Sequence, residues 1–183
     1  MILVTGGARS GKSSFAENYV KKISTLDEVL YIATAIAFDE GMKNRIKKHR
    51  EGRPKEWETL ERYKDFACFK DNNIYKNKKV ILLDCMTLLI SNLLLEYKGD
   101  FDKISEEEID KLEEYIDQEV SNFLEVFSDK KIVIVTNEVG MGLVPAYKLG
   151  SIFRDIAGRM NQKIAKRADE VYFLVSGIPM KVK

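Results

Sequence analysis

Five short apolar runs punctuate this chain: Ile2 to Thr5, Val29 to Thr34, Val80 to Leu83, Ile132 to Thr136 and Val171 to Val175. Each is continuous, not alternating, and rich in β-branched residues, as expected of strands covered on both faces. Between them, apolar positions recur at helical spacing over Lys12 to Lys22, Asp39 to Glu51, Glu61 to Asp71, Met86 to Tyr97, Ser105 to Phe127 and Ser151 to Arg167. Strands alternating with helices predict an α/β fold with a mostly parallel, doubly wound sheet and helices on both faces. The longest helix opens on a capping box, Ser105 with Glu108 three residues on. Its apolar stripe is Ile109, Leu112, Ile116, Val120, Phe123, Leu124 and Phe127, and the acidic remainder reads as a solvated face. Asp71 to Lys79 and Lys98 to Lys103 read as surface loops. After Ser176-Gly177-Ile178-Pro179, the stretch Met180 to Lys183 reads as a terminal strand that Pro179 restricts to a sheet edge.

Composition narrows the picture. With 183 residues, 45% of them apolar, the chain is long enough for one sizeable core, and a single domain over 1–183 is expected. Thirty basic against 29 acidic residues leave a net charge of +1, so the chain as a whole carries no electrostatic footprint for nucleic acid or an anionic membrane. Any anion site must be local. Cys68 and Cys85 form no C-x-x-C pair and share one histidine, which implies neither a zinc site nor a disulfide framework. With no apolar run of membrane-span length and no leader-like start, the expectation is a cytoplasmic protein.

The first apolar run leads straight into Gly6-Gly7-Ala8-Arg9-Ser10-Gly11-Lys12-Ser13, which satisfies G-x-x-x-x-G-K-[ST] between a strand and a helix. In that context backbone N–H groups and the positive end of a helix dipole converge where a triphosphate can sit. Gly6, Gly7 and Gly11 are expected to permit conformations and close approach that a Cβ blocks. Lys12 can reach the β and γ phosphates, and Ser13 can place its hydroxyl on Mg²⁺.

Val80-Ile81-Leu82-Leu83-Asp84 is an apolar strand ending in a carboxylate, the form of a second NTP-binding element whose acid helps hold Mg²⁺. The competing role for Asp84 is a turn or helix cap, with Thr87 nearby. His49, the only histidine, lies among five cations, Arg45, Lys47, Lys48, Arg50 and Arg53, within nine residues. Such a surround favours the neutral ring, which has a free lone pair. Neutral imidazole attacking an α-phosphate gives a phosphoramidate, a covalent carrier of a nucleotidyl group. On composition alone the plainer reading is a solvent-facing histidine on a basic helix.

Thr136 to Pro145 follows the fourth strand and so falls at the carboxyl edge, where open α/β sheets bind ligands. There Glu138 can orient a substrate hydroxyl or a metal-bound water, cap the next element, or bridge subunits. Further on, Asp155 and Arg159 are spaced as an i, i+4 helix pair. Arg154, Arg159 and Asn161 share that helix, and an arginine there can alternatively reach a neighbouring subunit's phosphate.

Taken together and in order, the glycine-rich loop, Ala33-Thr34-Ala35, His49-Arg50-Glu51-Gly52-Arg53-Pro54, Trp57, Glu61, Asp84-Cys85-Met86-Thr87, Thr136-Asn137-Glu138-Val139-Gly140-Met141-Gly142 and Arg154 to Arg159 closely resemble the bifunctional adenosylcobinamide kinase and adenosylcobinamide-phosphate guanylyltransferase family. The resemblance covers essentially the whole chain. It implies a P-loop NTPase with a RecA-like sheet, assembled as a homotrimer. It also implies two reactions of cobalamin assembly: phosphorylation of adenosylcobinamide by ATP or GTP, then transfer of GMP from GTP, through a histidine, to adenosylcobinamide phosphate. By that match His49 is the GMP-carrying nucleophile, with Lys12 the second catalytic residue. The nucleotide contacts fall on Gly6 to Ser13 (Gly6, Gly7, Ala8, Arg9, Ser10, Gly11, Lys12, Ser13), on Ala33, Thr34 and Ala35, on Arg50, Glu51, Gly52 and Arg53, and on Glu61 and Asp84. Ser13 and Asp84 are the Mg²⁺ ligands. Relatives often carry Glu at the position of Asp84, which keeps a carboxylate but shortens its reach here. The rival readings on residues alone are a small-molecule P-loop kinase with His49 incidental and a nucleotide-gated binding module.

Overall fold

Odd and even positions of the apolar runs separate onto two faces of one sheet. A computed structural model describes residues 1–37, 40–70 and 75–183, without the side chains of Met42, Arg45, Lys48 and His49. Its strands are β1 (Ile2–Gly6), β2 (Val29–Ala33), β3 (Glu58–Glu61), β4 (Val80–Asp84), β5 (Lys131–Val135), β6 (Glu170–Val175) and β7 (Ile178–Lys181). They lie in the order β3-β2-β4-β5-β1-β6-β7. Every pair is parallel except β6–β7. Leu30, Ile32, Ile81, Leu83, Ile132 and Ile134 enter one core, while Val29, Tyr31, Val80, Leu82, Val133 and Val135 enter the other. Alternate side chains leave opposite faces of a strand, so an unbroken apolar run feeds both cores.

The helices are α1 (Lys12–Ile23), α2 (Glu40–Glu51), α3 (Met86–Leu94), α4 (Glu106–Val126) and α5 (Lys148–Arg167). α1 buries Ala16 and Val20 against the second face, and α3, α4 and α5 cover the first. On α4 the expected stripe is inward: Ile116, Val120, Phe123 and Leu124 are buried, and Ile109 and Leu112 pack at its edge. Phe123 meets Phe66 edge-on with ring centroids 5.3 Å apart, a contact that fixes the packing geometry as well as adding buried area. The helix start carries the anticipated capping box, with Ser105 and Glu108 each satisfying the other's backbone N–H. The strand after Gly177 pairs antiparallel at the sheet edge and contains Pro179, the position to which a residue without an N–H donor is confined.

One helix expectation is overturned. The helix expected over Glu61 to Asp71 is not formed by its described residues, 61–70: Glu58–Glu61 is β3, followed by a 3₁₀ turn over Phe66–Phe69. β3 is an edge strand with only Leu60 turned toward the core, so it lacks the apolar run that marks a strand buried on both faces. Pairing with β2, from Leu30–Glu58 to Ala33–Glu61, overrides the helical preference of its glutamates. Smaller shifts concern ends: α3 stops at Leu94 and α5 begins at Lys148. Residues 38–39 and 71–74, part of the anticipated helix start at Asp39 and of the Asp71 to Lys79 loop, lie outside the described residues. Among the described residues no helix is long and apolar enough to cross a membrane.

Candidate functional site

β1 ends at Gly6 with φ of 146°, where a Cβ would stand 2.5 Å from the carbonyl oxygen of Leu174. Gly11 has φ of 90° and closes the loop against Gly177. Gly7 differs: nothing lies within 4 Å of a Cβ built there, so the steric need expected at that glycine is not found within the chain. Arg9, with φ of 56°, takes a left-handed conformation without being glycine, a strained backbone of the sort stored at binding loops. The turn after β6 braces the loop, with the Gly177 N–H donating to the Ser10 carbonyl at 2.9 Å. α1 begins with neither a side-chain cap nor an acidic residue in its first turn. Its free N–H groups and dipole therefore point into the loop, a ready anion site.

Lys12 is 6% exposed and curls over that loop, with Nζ donating to the Gly7 carbonyl at 2.5 Å. Ala8 to Ser13 line a cleft of about 640 Å³ with Asp84, Asn137, Gly41 and Asn44, a size suited to a nucleotide-sized ligand. Asp84 reaches it because Val135 of β5 pairs with both Val4 of β1 and Asp84 of β4, which puts loop and carboxylate at the same sheet edge. The Tyr31 hydroxyl donates to Asp84 Oδ2 at 2.6 Å, and α3 is capped at Cys85, so Asp84 is not the helix cap. Burial, then the Asp84 charge, pushes the Tyr31 hydroxyl well above its ordinary pKa. The same two causes raise the Glu17 carboxyl, opposed by Arg53 and Lys21.

The Arg53 guanidinium lies 3.5 Å above the Tyr31 ring, a favourable cation–π distance. Its Nε and Nη1 are buried and have no hydrogen-bond partner among the described residues. Ser13, Arg53, Glu61 and Asp84, with Ala33 and Ala35, line a narrow recess beside the cleft. Ala33, Thr34 and Ala35 also floor a second cavity of about 520 Å³, walled by Lys43, Lys47 and Arg50 of α2 and by Glu61. Arg50 Nη2 donates to Glu61 Oε1. α2 thus stands between the two spaces, with Gly41 and Asn44 on the cleft side. His49 belongs to the last turn of α2. Its backbone lies five residues beyond Asn44, about 7.5 Å along the axis, and its side chain lies outside the described set. Glu51 and Gly52 are exposed just beyond it.

Among the oxygen donors, Ser13 and Asp84 share the recess, and Tyr31 occupies only one Asp84 oxygen. A hydroxyl and one carboxylate oxygen fit Mg²⁺, which takes few protein ligands and completes its shell with phosphates and water. Among the described residues there is no cluster of three or more His, Cys, Asp or Glu able to hold a metal by itself.

One expected ion pair changes, and one open role narrows. Arg159 binds Glu113 through both Nε and Nη2, while Asp155 takes Arg154 at 3.1 Å, so the anticipated Asp155–Arg159 pair is not formed. Glu138 accepts from the Gly140 N–H at 2.7 Å and lines neither cavity, which matches the capping role among the three open to it. Sequence reasoning missed Asn137, Tyr31, Glu17 and Asn44. Asn137 had a signal, its place just past an apolar strand. Tyr31 had none, being one more apolar residue in a buried run.

A protein-family model described as cobinamide kinase / cobinamide phosphate guanyltransferase matches residues 2–182. The bifunctional adenosylcobalamin biosynthesis protein CobU of Escherichia coli (strain K12) is 46% identical over 185 residues, covering 100% of this chain and 99% of that protein. CobU of Salmonella typhimurium is 43% identical over the same length, with the same coverage. The bifunctional adenosylcobalamin biosynthesis protein CobP of Pseudomonas aeruginosa is 37% identical, covering 99% and 96%. Among solved structures, flagellar accessory protein FlaH from Methanocaldococcus jannaschii aligns with a TM-score of 0.46 at 15% identity, covering 100% of this chain and 77% of that one.

Proposed function

This chain belongs to the cobinamide kinase / cobinamide phosphate guanyltransferase family, and from that membership we propose that it phosphorylates adenosylcobinamide with ATP or GTP and then transfers GMP from GTP to adenosylcobinamide phosphate, forming adenosylcobinamide-GDP in cobalamin biosynthesis. The observation that carries the reading is the shared cleft: Lys12, Ser13 and Asp84 face one space, and α2, which bears His49, walls it.

In the kinase step the substrate hydroxyl oxygen bonds to the γ-phosphorus as the bond to the β,γ-bridging oxygen breaks, and the nucleoside diphosphate leaves. The loop N–H groups and Lys12 hold the β and γ phosphates and take up the charge that develops on the leaving group. Mg²⁺, when bound through Ser13 and Asp84, supplies further neutralisation of the phosphate oxygens. In the guanylyl step a neutral His49 nitrogen bonds to the α-phosphorus, and pyrophosphate leaves. A phosphate oxygen of adenosylcobinamide phosphate then displaces the imidazole, restoring the free histidine. Arg50 and Arg53 flank that step from the end of α2, and the orphaned N–H groups of Arg53 suit an anionic ligand. A swing of α2, or a shift of the triphosphate along the loop, selects which phosphorus meets its attacker.

The working unit is a cytoplasmic homotrimer. Two unlike apolar groups support this assembly, Met141, Leu143, Val144 and Tyr147 after β5, and Ile178, Met180 and Val182 along and just beyond β7, all exposed and Leu143 95% so. Ring closure requires two different patches on each copy.

Incubation with α-labelled GTP and Mg²⁺ tests the chemistry. Acid-labile label stays on the wild-type chain and is absent from His49→Ala. GMP transfer that proceeds while no adduct ever forms at position 49 overturns the histidine carrier.

A further inference from the structure

β5 runs between the strand that feeds the glycine-rich loop and the strand that ends in Asp84. Asn137 follows β5 by two residues and lines the cleft with Lys12, Ser13 and Asp84. Its carboxamide is held on one side only. Nδ2 donates to Thr87 Oγ1 at 3.0 Å, and the backbone N–H points to the same oxygen at 3.4 Å. Asn161 Nδ2 donates to the Asn137 carbonyl at 3.1 Å and is itself fixed by the Thr136 hydroxyl at 2.7 Å. Thr87 and Thr136 are buried, and Thr87 Oγ1 lies 3.2 Å from Cys85 Sγ. The Oδ1 acceptor and the second Nδ2–H make no hydrogen bond among the described residues.

A polar network this size around one backbone turn orders the turn, and it leaves the half-buried carboxamide at its centre, which lines the cleft, with an acceptor and a donor open. We propose that Asn137 positions the attacking hydroxyl of the phosphoryl acceptor against the γ-phosphorus. Oδ1 accepts from the hydroxyl and the free Nδ2–H donates to a γ-phosphoryl oxygen, so one planar amide sets both partners of the new bond. The amide takes no proton. The hydroxyl oxygen bonds to phosphorus, the bond to the β,γ-bridging oxygen breaks with its electron pair on the departing diphosphate, and the hydroxyl proton passes to the transferred phosphoryl group. Attack by a histidine at the α-phosphorus occurs two phosphates away and does not use this contact.

This inference rests on the kinase reading above, and its test separates the two. Asn137→Ala lowers kcat for cobinamide phosphorylation about a hundredfold, while binding of β-thio-ADP, an analogue without the γ-phosphoryl group, and kcat for GMP transfer to pre-formed adenosylcobinamide phosphate stay within about threefold of wild type. Thr87→Val, which frees the carboxamide from its anchor, lowers the same kcat about tenfold and leaves analogue binding unchanged. Should Asn137→Ala unfold, Asn137→Gln, which keeps the amide and displaces it by one methylene, carries the same expectations. Parallel loss of analogue binding and both transfers, or phosphorylation as fast as wild type in a folded variant, overturns the role of Asn137 alone. A wild-type chain that phosphorylates no cobinamide overturns the kinase reading and this inference with it.

Discussion

The hydroxyl of Tyr31 donates a 2.6 Å hydrogen bond to Oδ2 of Asp84 across adjacent strands. Burial, then the neighbouring carboxylate, holds that phenol well above its ordinary pKa, and the bond leaves the second carboxylate oxygen for the cleft. Removing it in Tyr31→Phe unpins the carboxylate that the proposed Mg²⁺ site needs. The Mg²⁺ concentration for half-maximal phosphorylation rises about tenfold, and urea titration shows a loss of about 1 kcal/mol. An unchanged Mg²⁺ dependence would separate Asp84 from the metal.

Lys12 is buried over its own loop, with its ammonium on the Gly7 carbonyl. On the proposed function both transfers start from a triphosphate in that loop, so Lys12→Ala is expected to lower kcat/KM for phosphorylation and for GMP transfer alike, by about a hundredfold or more each. His49→Ala removes only the second. Steady-state assays of the separate half-reactions distinguish the two patterns.

Cys85 and Cys68 are both free, one buried and one exposed. Burial first, then the neighbouring Asp84 charge, pushes the Cys85 thiol up to about 11. At pH 8 the reactive thiolate is then about one part in a thousand. A thiol-reactive chromophore should titrate Cys68 at once and Cys85 only when denaturant opens the core. Two fast thiols in the folded protein would contradict the burial.

At the start of α4, Glu108 Oε2 accepts from the Ser105 backbone N–H at 3.0 Å, and that bond leads the causes that lower its pKa below 4.5. A carboxylate depressed by folding contributes stability above its unfolded pKa and loses it as pH falls through the folded value. Ser105→Ala therefore costs about 1 kcal/mol at pH 7. Glu108→Gln is destabilising at pH 7, and its melting temperature converges on wild type as pH drops below 4.5. A gap that widens on acidification would reverse the sign of this account.

Central strands were legible in the sequence because burial on both faces demands unbroken apolar runs, and Val80 to Leu83 leaves no other economical reading. The edge was not legible in the same way. Glu58–Glu61 carries one inward residue, Leu60, and its pairing with β2 is decided by backbone partners that no local pattern encodes. The glycine-rich loop between β1 and α1 was legible because glycine, lysine and serine fall at fixed offsets between a strand and a helix. Tyr31 was not, since its place at the site comes from Asp84, more than 45 positions away; Asn137 was marked only by its place just past an apolar strand, and its anchor Thr87 is as distant in sequence. The Asp155–Arg159 expectation failed for a related reason: α4 packs against α5, and Glu113 presents a bidentate partner that a single-helix argument cannot see.

The place of β5 in the sheet also acts as a ruler. Val135 pairs with Val4 on one side and Asp84 on the other, so the strand that starts the loop and the strand that carries the acid stand two inter-strand spacings apart, about 10 Å. The side chains narrow that gap, since Ser13 at the end of the loop and Asp84 at the end of β4 line one recess. On the proposed function, the order in which the strands hydrogen-bond sets where the loop and the acid meet a bound nucleotide before any contact with the base is made.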